Sequence, residues 1–195
     1  MNISLMVRLL GRVLILGGAA TLPSLLISLL DQTSDAFSFA VTAASMAGAG
    51  GLMQLAPARK EPWRPRDSLL AVAVCWIVLS AFGALPFWIS GYMPRYEDAF
   101  FECVSGFTTT GSTVLTRVEA LPRGLLFWRS FTHWIGGMGV LVLSLAVMPK
   151  MGARSVYLMR AESAGPDPGK LVPRMGDSAR LLYGIYVLMS GAMLI

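Results

Sequence analysis

The sequence predicts an all-α integral membrane protein: an N-terminal helical hairpin, one helix–re-entrant loop–helix repeat, and the start of a further helix. Three observations predict it. Of 195 residues, 55% are hydrophobic and 14% charged, where soluble domains carry about a quarter charged residues. The apolar residues come in runs of membrane-crossing length. The charges fall between those runs, so a net charge of +5 belongs to membrane loops and not to a nucleic-acid surface. A mean hydropathy of +0.63 agrees.

The first run extends from about Met6 to Leu30 and is free of charge from Val13 onward. Pro23 kinks it, which a membrane helix tolerates. A cleaved leader also pairs a basic start (here Arg8 and Arg12) with an apolar core, but this core is long for one and the next segment is also membrane-like. After the polar turn Asp31–Asp35, a second run reaches from Ala36 to about Ala56. It is rich in Ala, Gly, Ser and Thr, the residues that let membrane helices pack closely. Residues 1–66 thus form a hairpin and a basic loop, since Pro57 to Asp67 carries Arg59, Lys60, Arg64 and Arg66.

Residues 67–150 form the repeat. Ser68 to Tyr92 contains no charge and has Pro86 inside it. Pro94 to Phe107 has a helical pattern but is short. Twelve or so helical residues span about 18 Å, too little for a hydrocarbon core of roughly 30 Å. Thr108-Thr109-Thr110-Gly111-Ser112-Thr113 comes next, a run of poor helix propensity. A short helix ending in a polar, extended segment reads as a re-entrant loop. Leu125 to Met148 is the fourth crossing, with Arg129, Thr132 and His133 in its outer part. Residues 151–180 form a polar, Pro-broken connector. Residues 181–195 begin another helix, and those 15 residues are short of a span, so the sequence reads as cut in mid-helix.

Basic residues concentrate on the cytoplasmic side of membranes. The 31–35 turn has no Lys or Arg, 57–67 has four, and 149–180 has six. The expected topology has the N-terminus inside, 31–35 outside, 57–67 inside, the re-entrant loop outside and 149–180 inside. Cys75 then lies toward the inner half and Cys103 in the outer re-entrant helix, so no disulfide is expected.

A dehydrated cation needs oxygens to replace its water, and extended backbone with its carbonyls turned to one axis supplies them. Gly111 permits angles that a β-carbon resists. Non-helical backbone at membrane depth must be surrounded by protein or water, so one such loop implies others around a common axis. Taken alone, the Thr/Gly run also fits an ordinary polar loop between helices.

Three stretches carry a resemblance: AFFECVSGFTTTGSTVL (Ala99–Leu115), LFWRSFTHWIGGMGVLVLSLAVMP (Leu126–Pro149) and LVPRMGDSARLLYGIYVL (Leu171–Leu188). They resemble the first pore loop, the following helix and the approach to the second repeat of the Trk/Ktr/HKT potassium transporters. The resemblance implies a K+-channel-like fold with four helix–pore–helix repeats in one chain around a central pore, of which this sequence holds the first. It implies a selectivity filter at Thr108, Thr109, Thr110, Gly111, Ser112 and Thr113. There, Thr109 and Thr110 match the K+-binding positions, and K+ is the metal ion held by the backbone carbonyls of Thr109, Thr110 and Gly111. A Ser at the Gly111 position is associated with sodium transport in some plant relatives, so Gly111 favours potassium. The resemblance further implies passive or ion-coupled (symport) K+ transport in a bacterial inner membrane, no cofactor, a homodimer, and a cytosolic nucleotide-binding ring protein as gate. Residues 149–180 would lie on that cytosolic side, and the remaining partners are K+ and the lipid bilayer.

Among single residues, His133 reads as a hydrogen-bonded structural side chain. Arg129 reads as the ion-pair partner of Glu102 or Glu119. Gly136, Gly137 and Gly139 read as close helix packing. No nucleophile–base pair or metal-ligand cluster suggests an enzyme. Two other readings are a non-conducting membrane fragment or assembly partner, and a homo-oligomeric channel with one repeat per chain.

Overall fold

The structure, a computed structural model, describes residues 3–57, 65–139 and 175–192, and these contain helices and no strand. The chain divides into two compact units, residues 1–134 and 135–195. The helices are α1 (Ile3–Ala20), α2 (Leu22–Leu30), α3 (Asp35–Gln54), α4 (Pro65–Gly83), α5 (Leu85–Ile89), α6 (Tyr96–Phe107), α7 (123–139) and α8 (Met175–Ala192). Three stretches are long and apolar enough to cross a membrane: Ile3–Leu30, Asp35–Gln54 and Leu70–Ile89. Their outward faces carry bare Leu16, Leu26, Leu30, Phe37, Leu52 and Ile77, which water would penalise and lipid accepts. This is a membrane protein.

Proline sets the two breaks. Pro23 lies in the first turn of α2, where its missing N–H costs nothing, and the turn before it is closed by Thr21, whose N–H and Oγ1 both bond the Gly18 carbonyl. Pro86 does the same between α4 and α5. That break frees carbonyls from the helical ladder, and side chains take them up. The Tyr96 hydroxyl donates to Ala81 O at 2.8 Å, and Trp128 Nε1 donates to Gly83 O at 2.9 Å. Both donors come from the elements that flank the candidate filter. The second crossing starts at Asp35, one residue before the expected Ala36. The third is already helical at Pro65, three residues before the expected Ser68, because proline is tolerated in a first turn. Its helical part ends at Ile89 and not at Tyr92.

The core of the first unit is one face of each helix. In α1 the buried positions are Leu10, Gly11, Leu14 and Gly18, and in α3 Asp35, Ser38, Phe39, Thr42, Met46 and Gly50, both at helical spacing. The two helices meet at Gly11 and Gly50. A Cβ on Gly50 would stand 2.6 Å from the Gly11 carbonyl oxygen, and one on Gly11 2.7 Å from the Gly50 carbonyl oxygen. Gly48 and Gly51 on the same helix have open space around them. Around α6 the core includes Ala84, Phe87, Ala99, Cys103, Phe107, Leu125 and Trp128. Cys75 and Cys103 are free thiols.

The hairpin also holds the start of α7. Ser28 Oγ donates to Asp35 Oδ2 at 2.8 Å, and Gly124 lies against this pair, with no room for a side chain. Arg123 and Asp31 pair at 3.2 Å on the surface above it. In the second unit, Gly137 faces Tyr186, whose hydroxyl would stand 2.5 Å from a Cβ there, in line with close packing at this glycine. Residues 140–174, with the rest of the fourth crossing and most of the basic connector, lie outside the described residues.

Candidate functional site

The short helix α6 runs through 12 residues, about 18 Å at the usual rise, so it cannot cross the membrane core. Glu97 and Asp98 sit in its first turn, where the helix dipole favours acids, and Asp98 pairs with Arg95 at 3.1 Å. Its apolar face, Ala99, Cys103 and Phe107, packs inward.

The end of α6 determines the shape of the loop at 108–114. Thr108 N bonds Val104 O at 2.9 Å, Thr109 N bonds Gly106 O at 2.9 Å and Thr110 N bonds Ser105 O at 3.0 Å. The last two bonds form a Schellman motif, whose turning residue must take left-handed angles. That residue is Thr109, with φ of +57°. A β-branched residue seldom adopts this conformation, and such strain collects at functional segments. Thr108 steadies the turn: its Oγ1 bonds Val104 O at 2.7 Å and lies 2.8 Å from Thr110 Oγ1. Two residues on, Gly111 has φ of +77°, the freedom expected of it.

Residues 108–114 are exposed on this chain. Their C-terminal end is tied back to α6. Ser105 Oγ donates to the Ser112 carbonyl at 2.6 Å. Thr113 Oγ1 and Val114 N donate to Glu102 Oε2 at 2.9 and 3.3 Å. Glu102 is itself 1% exposed, and its other oxygen accepts Arg129 Nε at 2.5 Å. The stretch between the two anchors is left open. Among the described residues, no donor reaches the carbonyls of Thr109, Thr110 and Gly111, whereas the Ser105, Gly106, Thr108 and Ser112 carbonyls are all engaged.

Helix α7 backs the site. A Cβ on Gly106 would overlap Thr132 Oγ1 and lie 3.0 Å from Thr132 Cβ, so α6 and α7 touch at this glycine. Thr132 Oγ1 and His133 Nδ1 both lie on the Arg129 carbonyl, at 2.7 and 2.9 Å. A carbonyl only accepts, so Nδ1 carries the proton and His133 has the structural place expected of it. Of the two acids considered for Arg129, Glu102 is the partner. Sequence reasoning missed Glu102 as an anchor of the loop, and missed Ser105, Tyr96 and Trp128. The available signal was a lone acid in the otherwise apolar stretch AFFECVSGF, since an acid at membrane depth is retained only with partners.

Residues 35–194 match the family model described as TrkH, cation transport protein. The chain belongs to the TrkH family. This is a family of cation transporters and not of enzymes. The chain is 40% identical to the Trk system potassium uptake protein TrkH of Halomonas elongata over 95% of its own length and 39% of that protein's. It is 43% identical to TrkH of Escherichia coli K12 over 73% of its length and 30% of that protein's. The crystal structure of the potassium transporter TrkH from Vibrio parahaemolyticus superposes with a TM-score of 0.80 at 32% identity, covering 98% of this chain and 38% of that one. The chain thus spans less than two-fifths of the length of these TrkH relatives, and within that span the helical fold is shared.

Proposed function

We propose that this chain supplies one of four filter segments of a potassium uptake pore, with K+ as the transported ion. The observation that carries this reading is the row of carbonyls at Thr109, Thr110 and Gly111 that no described residue bonds, held between two anchors at the end of a short helix. Exposed, non-helical backbone at membrane depth needs protein or water around it, and three similar segments around one axis would provide both. The names of the TrkH relatives support potassium as the ion. On this reading residues 1–66 are a supporting hairpin and basic loop, 67–150 the pore repeat, and the residues after 150 a cytoplasmic connector that ends where α8 begins, at Met175 and not at the expected 181, with α8 belonging to the next transmembrane helix. The basic residues of 57–67 and 149–180 support a topology in a bacterial inner membrane with the N-terminus on the cytoplasmic side. Homodimer formation and gating by a cytosolic nucleotide-binding ring belong to the same reading.

The test is K+ uptake by cells lacking their own K+ systems. They would express the H. elongata protein with this chain in place of the residues it matches. Uptake is expected, and Gly111→Ser is expected to lower the preference for K+ over Na+ by about tenfold, equivalent to about 1.4 kcal/mol. Uptake with unaltered selectivity in that variant overturns the filter assignment.

A further inference from the structure

We infer that Glu102, held by Arg129, is a positioning residue that determines ion selectivity by setting the outer half of the filter; the inference rests on the proposed filter role of residues 108–113. A carboxylate enclosed in an apolar helix at membrane depth is costly unless every oxygen is engaged. Here both are. Oε2 receives two donors from the loop, Thr113 Oγ1 and Val114 N, and Oε1 receives the Arg129 guanidinium. The charge of Arg129 balances the carboxylate, and its Nε fixes the rotation of the group. Bonds to charged groups are among the stronger ones available.

The arrangement of anchors explains why this matters for ions. The inner end of the loop is fixed by backbone bonds from Thr109 and Thr110 to the helix end. The outer end is fixed by Ser105 at residue 112 and by Glu102 at residues 113 and 114. The three open carbonyls lie between. Their spacing and direction therefore depend on both ends, and selectivity depends on the size and field of the oxygen cage. Arg129 and Thr132 belong to the turn of α7 that also touches Gly106, so one helical turn supports both anchors.

The experiment measures the K+/Na+ flux ratio in the same H. elongata hybrid, for the parent, Glu102→Gln, Thr113→Val and Gly111→Ser, with membrane abundance read in parallel. In Glu102→Gln an amide N–H2 faces either Arg129 or the two loop donors, so one side of the anchor is lost. The expected result is a ratio about tenfold lower, about 1.4 kcal/mol. Thr113→Val keeps the ion pair and removes one loop donor, and a smaller fall in the same direction is expected. Should Glu102→Gln fail to reach the membrane, Thr113→Val decides alone. If the variants that reach the membrane keep the parent ratio while Gly111→Ser lowers it, the inference is overturned and the filter reading stands. If Gly111→Ser is also without effect, the filter reading itself is overturned.

Discussion

Gly50→Leu is expected to abolish most of the folded protein, while Gly48→Leu, two residues away on the same helix, is expected to leave it intact. At Gly50 the added Cβ meets backbone: the Gly11 carbonyl oxygen at 2.6 Å and the Ile15 nitrogen at 3.2 Å, with Ile15 Cγ1 at 2.8 Å. Backbone within a helix cannot rotate aside as a side chain can, so α1 and α3 must separate along their shared face. Overpacking of a tight core costs about 1–3 kcal/mol and sometimes more, and two opposed helices put this site at the upper end. Gly48 has nothing within 4 Å, and leucine there adds one more apolar group to a face that already carries Leu52. The monodisperse fraction after detergent extraction, with thermal unfolding of that fraction, reads the contrast. Equal yields for the two variants would show that the Gly11–Gly50 crossing is not the tight contact described.

Gly106→Val is expected to be the most damaging substitution near the 108–113 loop. Its Cβ overlaps the hydroxyl of Thr132 and stands 3.0 Å from the Thr132 Cβ and 3.5 Å from His133 Nδ1. Thr132 is 1% exposed and its hydroxyl is already bonded to the Arg129 carbonyl, so it has nowhere to turn. Helix α6 must move off α7. Because Gly106 O also accepts the Thr109 N–H, that movement distorts the loop. A loss of about 3 kcal/mol in stability is expected, read as a lower unfolding temperature in detergent. Thr132→Ala removes the blocking hydroxyl, and residues in direct contact are non-additive. The double variant Gly106→Val/Thr132→Ala should therefore recover part of the loss. A double variant as damaged as the sum of the two singles would contradict the contact.

Much of this was legible in the sequence because lipid imposes simple rules. Runs such as Ser68–Tyr92 contain no charge, and Pro23 and Pro86 mark the helix breaks seen at Thr21 and Ala84. The short helix before Thr108 was legible from its length alone. Ends were less so: a first-turn proline allows α4 to be helical at Pro65, where the sequence pattern looks like a loop. Thr109 was hidden for a different reason. Threonine rarely turns left-handed, so nothing in TTTG singles out the second Thr over Gly111 as the residue that reverses the helix. The Glu102–Arg129 pair was hidden by distance in sequence. The partners are 27 residues apart, and Glu119 lies nearer to Arg129 along the chain. Only the packing of Gly106 on Thr132 brings α6 and α7 close enough to choose between the two acids.

The most direct measurement is the reactivity of a cysteine at position 110 in the H. elongata hybrid, with Cys75→Ala and the enclosed Cys103 retained. A membrane-impermeant thiol reagent is added from outside, and Arg117→Cys, on the exposed segment that follows the loop, serves as the bulk-water reference. If Thr108–Thr113 lines a water-filled mouth that holds K+, Thr110→Cys should react from outside, more slowly than Arg117→Cys, and K+ should protect it where Na+ does not. Reaction at the reference rate regardless of K+, or reaction only from inside, would contradict the placement of this segment in an ion path.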